Sequence, residues 1–514
     1  MYRRLRMVFA GGVACMAGVL AAAAPAVSRP NVLFIAIDDL NAQLGCLGAA
    51  VQTPHLDRLA ASGMLFERAY CQEAVCGPSR ASVLSGLRPD GDTPRIGRGS
   101  GGGDAIRQAF PQAVLLPELF KNGGYRTVSL GKIFHHGEVE TGGDIGPRMK
   151  PDPKSWSETP WYHGSPYRQW YEQESFDLVR QMRALPKEQR PRIIRGRPYE
   201  ASAQPDDVYA DGQIAAQAVL TLQRLQEEAA PFFLAVGFRR PHLPFNCPQK
   251  YWDVYPAASI RLPENDRPPR DVPPMALHDA YELRSYAGMP ATGGFSREDR
   301  LNLIRGYRAC ISYVDAQIGR MLAELGRLGL AQSTIVVVWS DHGYHLGEQG
   351  LWTKMTNFEQ ATRVPLILRV PGRGVAGGRS AALVELVDIY PTLAELCGLR
   401  APEYLEGTSL VPLLARPDRR WKTAAFSHYR RSANWDYDTK TQPLGRAMRT
   451  ERYRYVEWTL ADGERVGTEL YDHATDSAET ANLAGRAEHR ALVATLSRQL
   501  AAGWTAARPD KAEN

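Results

Sequence analysis

Cysteine is scarce in this chain: seven residues in 514, one of them (Cys15) inside the N-terminal segment. The remaining six, Cys46, Cys71, Cys76, Cys247, Cys310 and Cys397, are too few and too scattered for a disulfide scaffold. No internal repeat is present, and beyond the N-terminus no apolar run is long enough to cross a bilayer. Charge of one sign is also lacking. The formal net charge is +6, and Arg3, Arg4 and Arg6 supply three of those charges. That balance suits an anionic small substrate and excludes an argument for nucleic-acid binding.

What is there begins with a basic start, an apolar run from Met7 to about Ala23, and the small-residue pattern Ala24-Pro25-Ala26. Residues 1–26 therefore read as a signal peptide. An uncleaved membrane anchor is the alternative, but the run is short and rich in Gly and Ala. Export to a periplasmic or extracellular space (lysosome-like in a eukaryote) and no stable membrane span are the expectation. Next, short apolar runs alternate with helical periodicity, the pattern of an α/β fold with a mostly parallel sheet. Strands are expected at Asn31–Ile37, Arg126–Leu130, Phe232–Gly237, Thr334–Trp339 and Val364–Val370. Leu303, Tyr307, Cys310, Val314, Ile318, Leu322 and Leu325 mark one face of a helix, with Ser296 as its N-cap. Cys310 and Cys397 read as buried apolar residues, and Cys71 could pair with Cys247. From about residue 405 the texture changes to polar alternation and a closing amphipathic helix. This predicts a catalytic domain over 27–404 and a smaller C-terminal α+β subdomain with an antiparallel sheet over 405–514.

Polar residues cluster where the strands end. Asp38-Asp39 follow the first strand, Lys132 and His135 the second, His242 the third, and Asp341-His342 the fourth. Ligand sites of open α/β sheets form outside the carboxyl ends of strands. Adjacent carboxylates there repel each other unless a cation neutralises them, and Asp341 with His342 could complete the shell of a hard divalent ion. Taken singly, each Asp could equally cap a turn. Their convergence carries the argument.

Cys76-Gly77-Pro78-Ser79-Arg80, followed by Leu84-Ser85-Gly86, resembles the formylglycine-sulfatase signature. Asn31–Asp39, Thr53–Leu59 and Ser340–Glu348 resemble further motifs of that family in the family's order, and the likeness runs from about residue 31 to 485. Gly131–His135, Phe233–Phe245 and Asp341–Phe358 bring it nearest to the iduronate-2-sulfatase type. The resemblance implies an alkaline-phosphatase-like α/β sandwich, with a large mixed, mostly parallel central sheet flanked by helices. It implies that a formylglycine-generating enzyme oxidises Cys76 to an aldehyde. One hydroxyl of the aldehyde hydrate would attack sulfur, and the other would expel sulfate from the covalent sulfo-enzyme by C–O cleavage. By the same resemblance Asp38, Asp39, Asp341, His342 and the modified Cys76 would hold Ca2+, with Mg2+ or another divalent ion open because His departs from an all-oxygen shell. Arg80 would hold the hydrate, Lys132 and Lys354 would clamp sulfate oxygens, His135 would be the base for elimination, and His242 the acid at the leaving oxygen. His136, beside His135, is the competing histidine.

A sulfated sugar or polysaccharide is the substrate this likeness implies. Rival readings are a phosphomonoesterase or phosphonate hydrolase of the same fold, and a non-catalytic glycan-binding relative. One long stretch, about 138–205, holds Trp156, Trp161, Tyr162, Tyr167, Trp170 and Tyr171 without a strong core pattern. Those rings could stack on sugars, with Arg430 and Arg431 meeting an anionic group, or simply pack the insertion onto the sheet.

Overall fold

The computed structural model describes residues 29–89, 102–135, 152–162, 170–186, 195–431 and 442–509. The signal-peptide reading of 1–26, and His136 and Tyr167, fall outside the described residues.

Seven strands build the central sheet: β1 (Asn31–Ile37), β2 (Met64–Tyr70), β3 (Arg126–Gly131), β4 (Phe232–Phe238), β5 (Thr334–Ser340), β6 (Arg363–Arg369) and β7 (Gly378–Glu385). Their spatial order is β7-β2-β6-β5-β1-β4-β3. All share one direction except β6, which runs antiparallel to both its neighbours. β1 lies at the heart of the sheet because its apolar side chains serve two cores at once. Leu33, Ile35 and Ile37 face one apolar cluster, and Val32, Phe34 and Ala36 face the other. Alternation of side chains across a strand makes this a three-layer structure, buried on both faces.

Helices cover the two faces. On one lie α2 (Ala210–Gln226) and α4 (Arg297–Arg327). The predicted apolar stripe of α4 is buried at Leu303, Tyr307, Cys310, Val314, Ile318 and Leu325. The Ser296 side chain caps the helix by accepting a hydrogen bond from the backbone N–H of Asp299 at 3.0 Å, an interaction that stabilises a helix by about 1 kcal/mol. On the other face lies α1 (Cys76–Ser85), every residue of which is buried.

Downstream, β8 (Ala424–Arg430), β9 (Leu444–Thr450), β10 (Tyr453–Thr459) and β11 (Arg465–Asp472) form a four-stranded antiparallel sheet in sequence order, and α5 (Arg490–Ala506) follows it. This sheet packs onto the segments that flank Cys76 and Lys354. Val75, Met355 and Phe358 share an apolar cluster with Tyr429, Trp458 and Tyr471. The backbone N–H of His428 donates to the Gln72 carbonyl at 2.8 Å, and buried Arg454 donates to Glu479 at 2.6 Å and to the Asn357 carbonyl at 2.7 Å.

The aromatics of the 138–205 stretch that are described do pack. Trp156 is buried and meets Phe134 edge-on, Trp161 bridges in β fashion to Leu130, and the Trp170 indole donates to the Arg197 carbonyl at 2.8 Å. Arg430 and Arg431 likewise donate to backbone carbonyls, of Gln442 and of Met275. All six described cysteines are free thiols. Cys71 and Cys247 do not pair; Cys247 instead neighbours Cys310, in the layer where α4 meets the sheet.

Candidate active site

Parallel register brings the four polar strand ends to one edge. Ile37 at the end of β1 sits between Phe238 of β4 and Ser340 of β5, and Gly131 of β3 sits beside Gly237. Close approach at this last pair requires glycine. A Cβ on Gly237 would stand 1.9 Å from the Lys132 carbonyl oxygen, and one on Gly131 (φ 68°) would stand 2.3 Å from the Gly237 carbonyl. Two glycines thus let the Lys132 loop fold over the end of β4.

Asp39 adopts a left-handed backbone conformation, φ 64°, which is uncommon outside glycine. Its neighbours hold it there. Its N–H donates to Asp341 Oδ1 at 3.0 Å, and the Tyr307 hydroxyl donates to its carbonyl at 2.6 Å. Strain kept in place this way aims the carboxylate at Cys76.

Cys76 opens α1. Its Sγ lies 3.2 Å from His342 Nε2 and 3.6 Å from Asp39 Oδ1. Four residues on, and so on the same helical face, Arg80 is completely buried. Its Nε donates to Asp341 Oδ2 at 2.8 Å, Nη2 to Asp38 Oδ1 at 3.2 Å, and Nη1 to the carbonyls of Ile133 (3.1 Å) and Lys132. The guanidinium therefore ties the cysteine helix to three strand ends. Lys132 Nζ donates to Asp38 Oδ2 at 2.6 Å, and Lys354 Nζ to the two Asp39 oxygens at 2.9 and 2.7 Å. Lys354 is buried between two residues of positive φ, Thr353 and Met355. His135, half-buried, ends the same Lys132 loop that Arg80 holds.

His342 and His242 each have an assignable tautomer. A carbonyl can only accept, so His342 Nδ1–H donates to Gly343 O (2.9 Å) and His242 Nδ1–H donates to Leu243 O (2.7 Å). The Nε2 lone pair of neutral His342 is left facing Cys76 and Asp39. His242 Nε2 faces Glu282 Oε1 at 3.4 Å and Asp39 Oδ2 at 3.9 Å. Glu282, on the short helix α3 (Tyr281–Arg284), also reaches Lys354 at 3.4 Å. It is the site residue that sequence reasoning missed: it stands in no motif and follows no strand. Tyr307 was read only as part of a helical stripe, yet its hydroxyl helps to set Asp39.

Electrostatics separate the two adjacent aspartates. Burial opposes ionisation of Asp38, but Lys132, His242 and Arg80 overrule it and hold the carboxyl well below its ordinary range. Burial raises Asp39 well above that range, because Lys354 is outweighed by burial together with Asp38, Glu282 and Asp341. Burial also lowers His342 and pushes the Cys76 thiol well up, so an unmodified Cys76 is a protonated, poor nucleophile.

Ligand atoms of Asp38, Asp39, Cys76 and His242 lie within 4.8 Å of one another, as do those of Cys76, Asp341 and His342. The donor set fits a divalent cation. Buried carboxylates stand on both sides of Cys76, burial together with their mutual repulsion raises Asp39, and a neutral imidazole offers its lone pair with the other ring nitrogen tied to a carbonyl.

The family model "Sulfatase" matches residues 30–399, and the model of the N-sulphoglucosamine sulphohydrolase C-terminal region matches residues 347–505. The chain belongs to the sulfatase family. This sulfatase is 33% identical to human iduronate 2-sulfatase over 83% of its own length and 84% of that protein. It is 32% identical to a sulfatase of Formosa agariphila, over 91% and 86% respectively. Among solved structures it resembles the phosphonate monoester hydrolase of Agrobacterium radiobacter, with a TM-score of 0.71 and 25% identity, covering 92% of this chain and 95% of that one. It is thus a sulfuric-ester hydrolase of the formylglycine- and metal-dependent kind. Among the described residues no helix is long and apolar enough to cross a membrane.

Proposed function

We propose that this sulfatase removes sulfate from a sulfated saccharide in a compartment reached by export, after residues 1–26 are cleaved and Cys76 is converted to formylglycine by a formylglycine-generating enzyme. The observation that carries the reading is the seat of Cys76: the first residue of a buried helix, inside a ring of three carboxylates and an imidazole, with two lysines on the rim. Similarity to iduronate 2-sulfatase supports the choice of a sugar sulfate.

In this reading Asp38, Asp39, Asp341, His342 and residue 76 would hold the metal: the carboxylates suit Ca2+ or Mg2+, and the histidine suits another, borderline divalent ion. The cation supplies neutralisation of the sulfate oxygens, without which an anionic ester repels its nucleophile. Formylglycine hydrate supplies two hydroxyls, one to attack sulfur and one to expel sulfate. Arg80 fixes that side chain against Asp341 and offsets its developing charge. Lys132 and Lys354 turn from Asp38 and Asp39 towards the sulfate oxygens. His242, with Nδ1–H committed to Leu243, has only Nε2 to offer, and protonated there it donates to the leaving oxygen. His135 takes the proton whose loss releases sulfate. The catalytic part spans 27–404, and the remainder to 514 braces it.

Protein made beside a formylglycine-generating enzyme is to be assayed on sulfated mono- and disaccharides, an aryl sulfate, an aryl phosphate and an aryl phosphonate. Mass spectrometry of the Cys76 peptide accompanies the assay. Sulfate release that tracks the aldehyde content supports the reading. Full activity with only unmodified cysteine, or preference for the phosphonate or phosphate, refutes it.

A further inference from the structure

Lys354 stands in a turn that does not hold its shape by local preference. The residues on either side, Thr353 (φ 80°) and Met355 (φ 75°), both take left-handed backbone. That region is uncommon for any residue with a side chain, and for β-branched threonine it is an outlier. A backbone kept there must be held by its neighbours. The turn has a definite task, because it delivers Lys354 Nζ to both oxygens of Asp39 and to Glu282.

One residue holds the turn at both ends. His345 pairs with Thr353 across a short antiparallel hairpin, His345–Leu346 against Trp352–Thr353. That pairing fixes the residue before Lys354. The side chain of the same histidine fixes the far end: its Nε2 lies 2.8 Å from the Thr356 hydroxyl. His345, Thr353 and Thr356 are completely buried, so no water competes for this bond. Burial lowers the imidazole to about 4, so it braces the turn as an uncharged group. Phe358 meets the ring edge-on at 6.0 Å, a contact that an apolar side chain could replace; the bond to Thr356 it could not. The turn is tied in its middle as well, where the Met355 N–H donates to the Ala74 carbonyl at 3.2 Å, in the segment leading into Cys76.

We propose that His345 is a positioning residue for the sulfatase reaction: it clamps the turn 353–356 from both ends and so sets Lys354 Nζ against the sulfate. It touches no reacting atom. The proposal rests on the reading that Lys354 meets the sulfate oxygens. Because the effect is exerted at the sulfate and not at the leaving group, it falls equally on every sulfate ester.

The test measures kcat/KM of the matured enzyme on an aryl sulfate and on a sugar sulfate, with melting temperature and metal content followed alongside. His345→Leu keeps an apolar side chain against Phe358 and removes the hydrogen bond. It should lose about 10- to 100-fold on both substrates, the scale that a misplacement of about 1 Å reaches. His345→Gln, which can still reach the Thr356 hydroxyl, should stay within about threefold of wild type. Thr356→Val deletes the partner hydroxyl at nearly constant shape and should reproduce the loss; it decides the question if His345→Leu does not fold. In a Lys354→Ala background His345→Leu should have little further effect, because two changes acting through one group are not additive. Wild-type turnover in Thr356→Val, a His345→Gln as poor as His345→Leu, a loss confined to one substrate, or an undiminished loss in the Lys354→Ala background overturns the proposal. Failure of the underlying reading shows itself differently: Lys354→Ala alone would then turn over both esters as wild type does.

Discussion

At the scale of single residues, the site is a balance of buried charge. Asp341 accepts from Arg80 Nε with one oxygen and from the backbone N–H groups of Asp39 and His342 with the other, so it supports three donors besides any metal. Asp341→Ala is expected to abolish bound divalent metal, measured by elemental analysis of purified protein, and to reduce sulfate release by at least about 10²-fold, since electrostatic stabilisation at one such point accounts for about 10²–10³. Metal retained at full stoichiometry would place the ion elsewhere. Glu282 allows a finer test. It faces both His242 and Lys354 at 3.4 Å, and a charge-assisted hydrogen bond contributes about 1.5–3 kcal/mol. Glu282→Gln should therefore lower kcat on a sugar sulfate roughly 10- to 100-fold, with less effect on an aryl sulfate whose leaving group needs no proton. Metal content should hold. Equal losses on both substrates would assign Glu282 to packing alone.

At the scale of elements, two strand ends meet more closely than any side chain but hydrogen permits. A Cβ on Gly237 would sit 1.9 Å from backbone, which cannot yield as a flexible side chain can. Gly237→Ala should cost ~1–3 kcal/mol or more through forced backbone displacement. Because the Lys132 and Ile133 carbonyls hold Arg80, it should also lower activity beyond what the lost stability explains. Gly485→Ala, where an added Cβ meets nothing within 4 Å, serves as the control and should match wild type in melting temperature and turnover. At this scale the sequence reading is good but incomplete. The strands beginning at Asn31, Arg126, Phe232, Thr334 and Arg363 are legible because they are short apolar runs buried on both faces. β2 and β7 escape notice because Glu67 and Arg68 interrupt the one and Arg379 with small residues dilutes the other. That β6 runs against its neighbours has no local signal, because direction is a property of the connections.

At the scale of the whole molecule, buried ion clusters lock the C-terminal sheet to the central one. Arg88 and Lys422 converge on Glu385, and Arg454 on Glu359 and Glu479. Burial alone would raise Glu385 and Glu359, yet Arg88 with Lys422, and Arg454 with Arg449, bring each down to about 2. A carboxyl depressed on folding stabilises the folded state above its unfolded value, about 4.3, and that contribution is lost as pH falls towards 2. Melting temperature should accordingly decline between about pH 4.5 and 2, and Glu385→Gln should already be destabilised at pH 7 with a flatter acid limb. A melting temperature flat across that range would show that these clusters bear no weight.

Much of the site was legible because its residues are bound to local patterns. A carboxylate pair after an apolar strand, a cysteine opening a Pro-containing turn with an arginine one helical turn later, and an Asp-His pair after another strand can each be read without knowing where the chain goes next. Their membership of one family of motifs, and the α/β class, were determined by sequence alone. Only the tertiary structure decided the rest: that β1, β3, β4 and β5 lie side by side and parallel, that Glu282 arrives between His242 and Lys354, and that Trp156, Trp161 and Trp170 pack rather than project. Periodicity reports which face of an element is buried, but the partner of a buried polar atom comes from hundreds of residues away, and that choice is made by packing the whole chain at once.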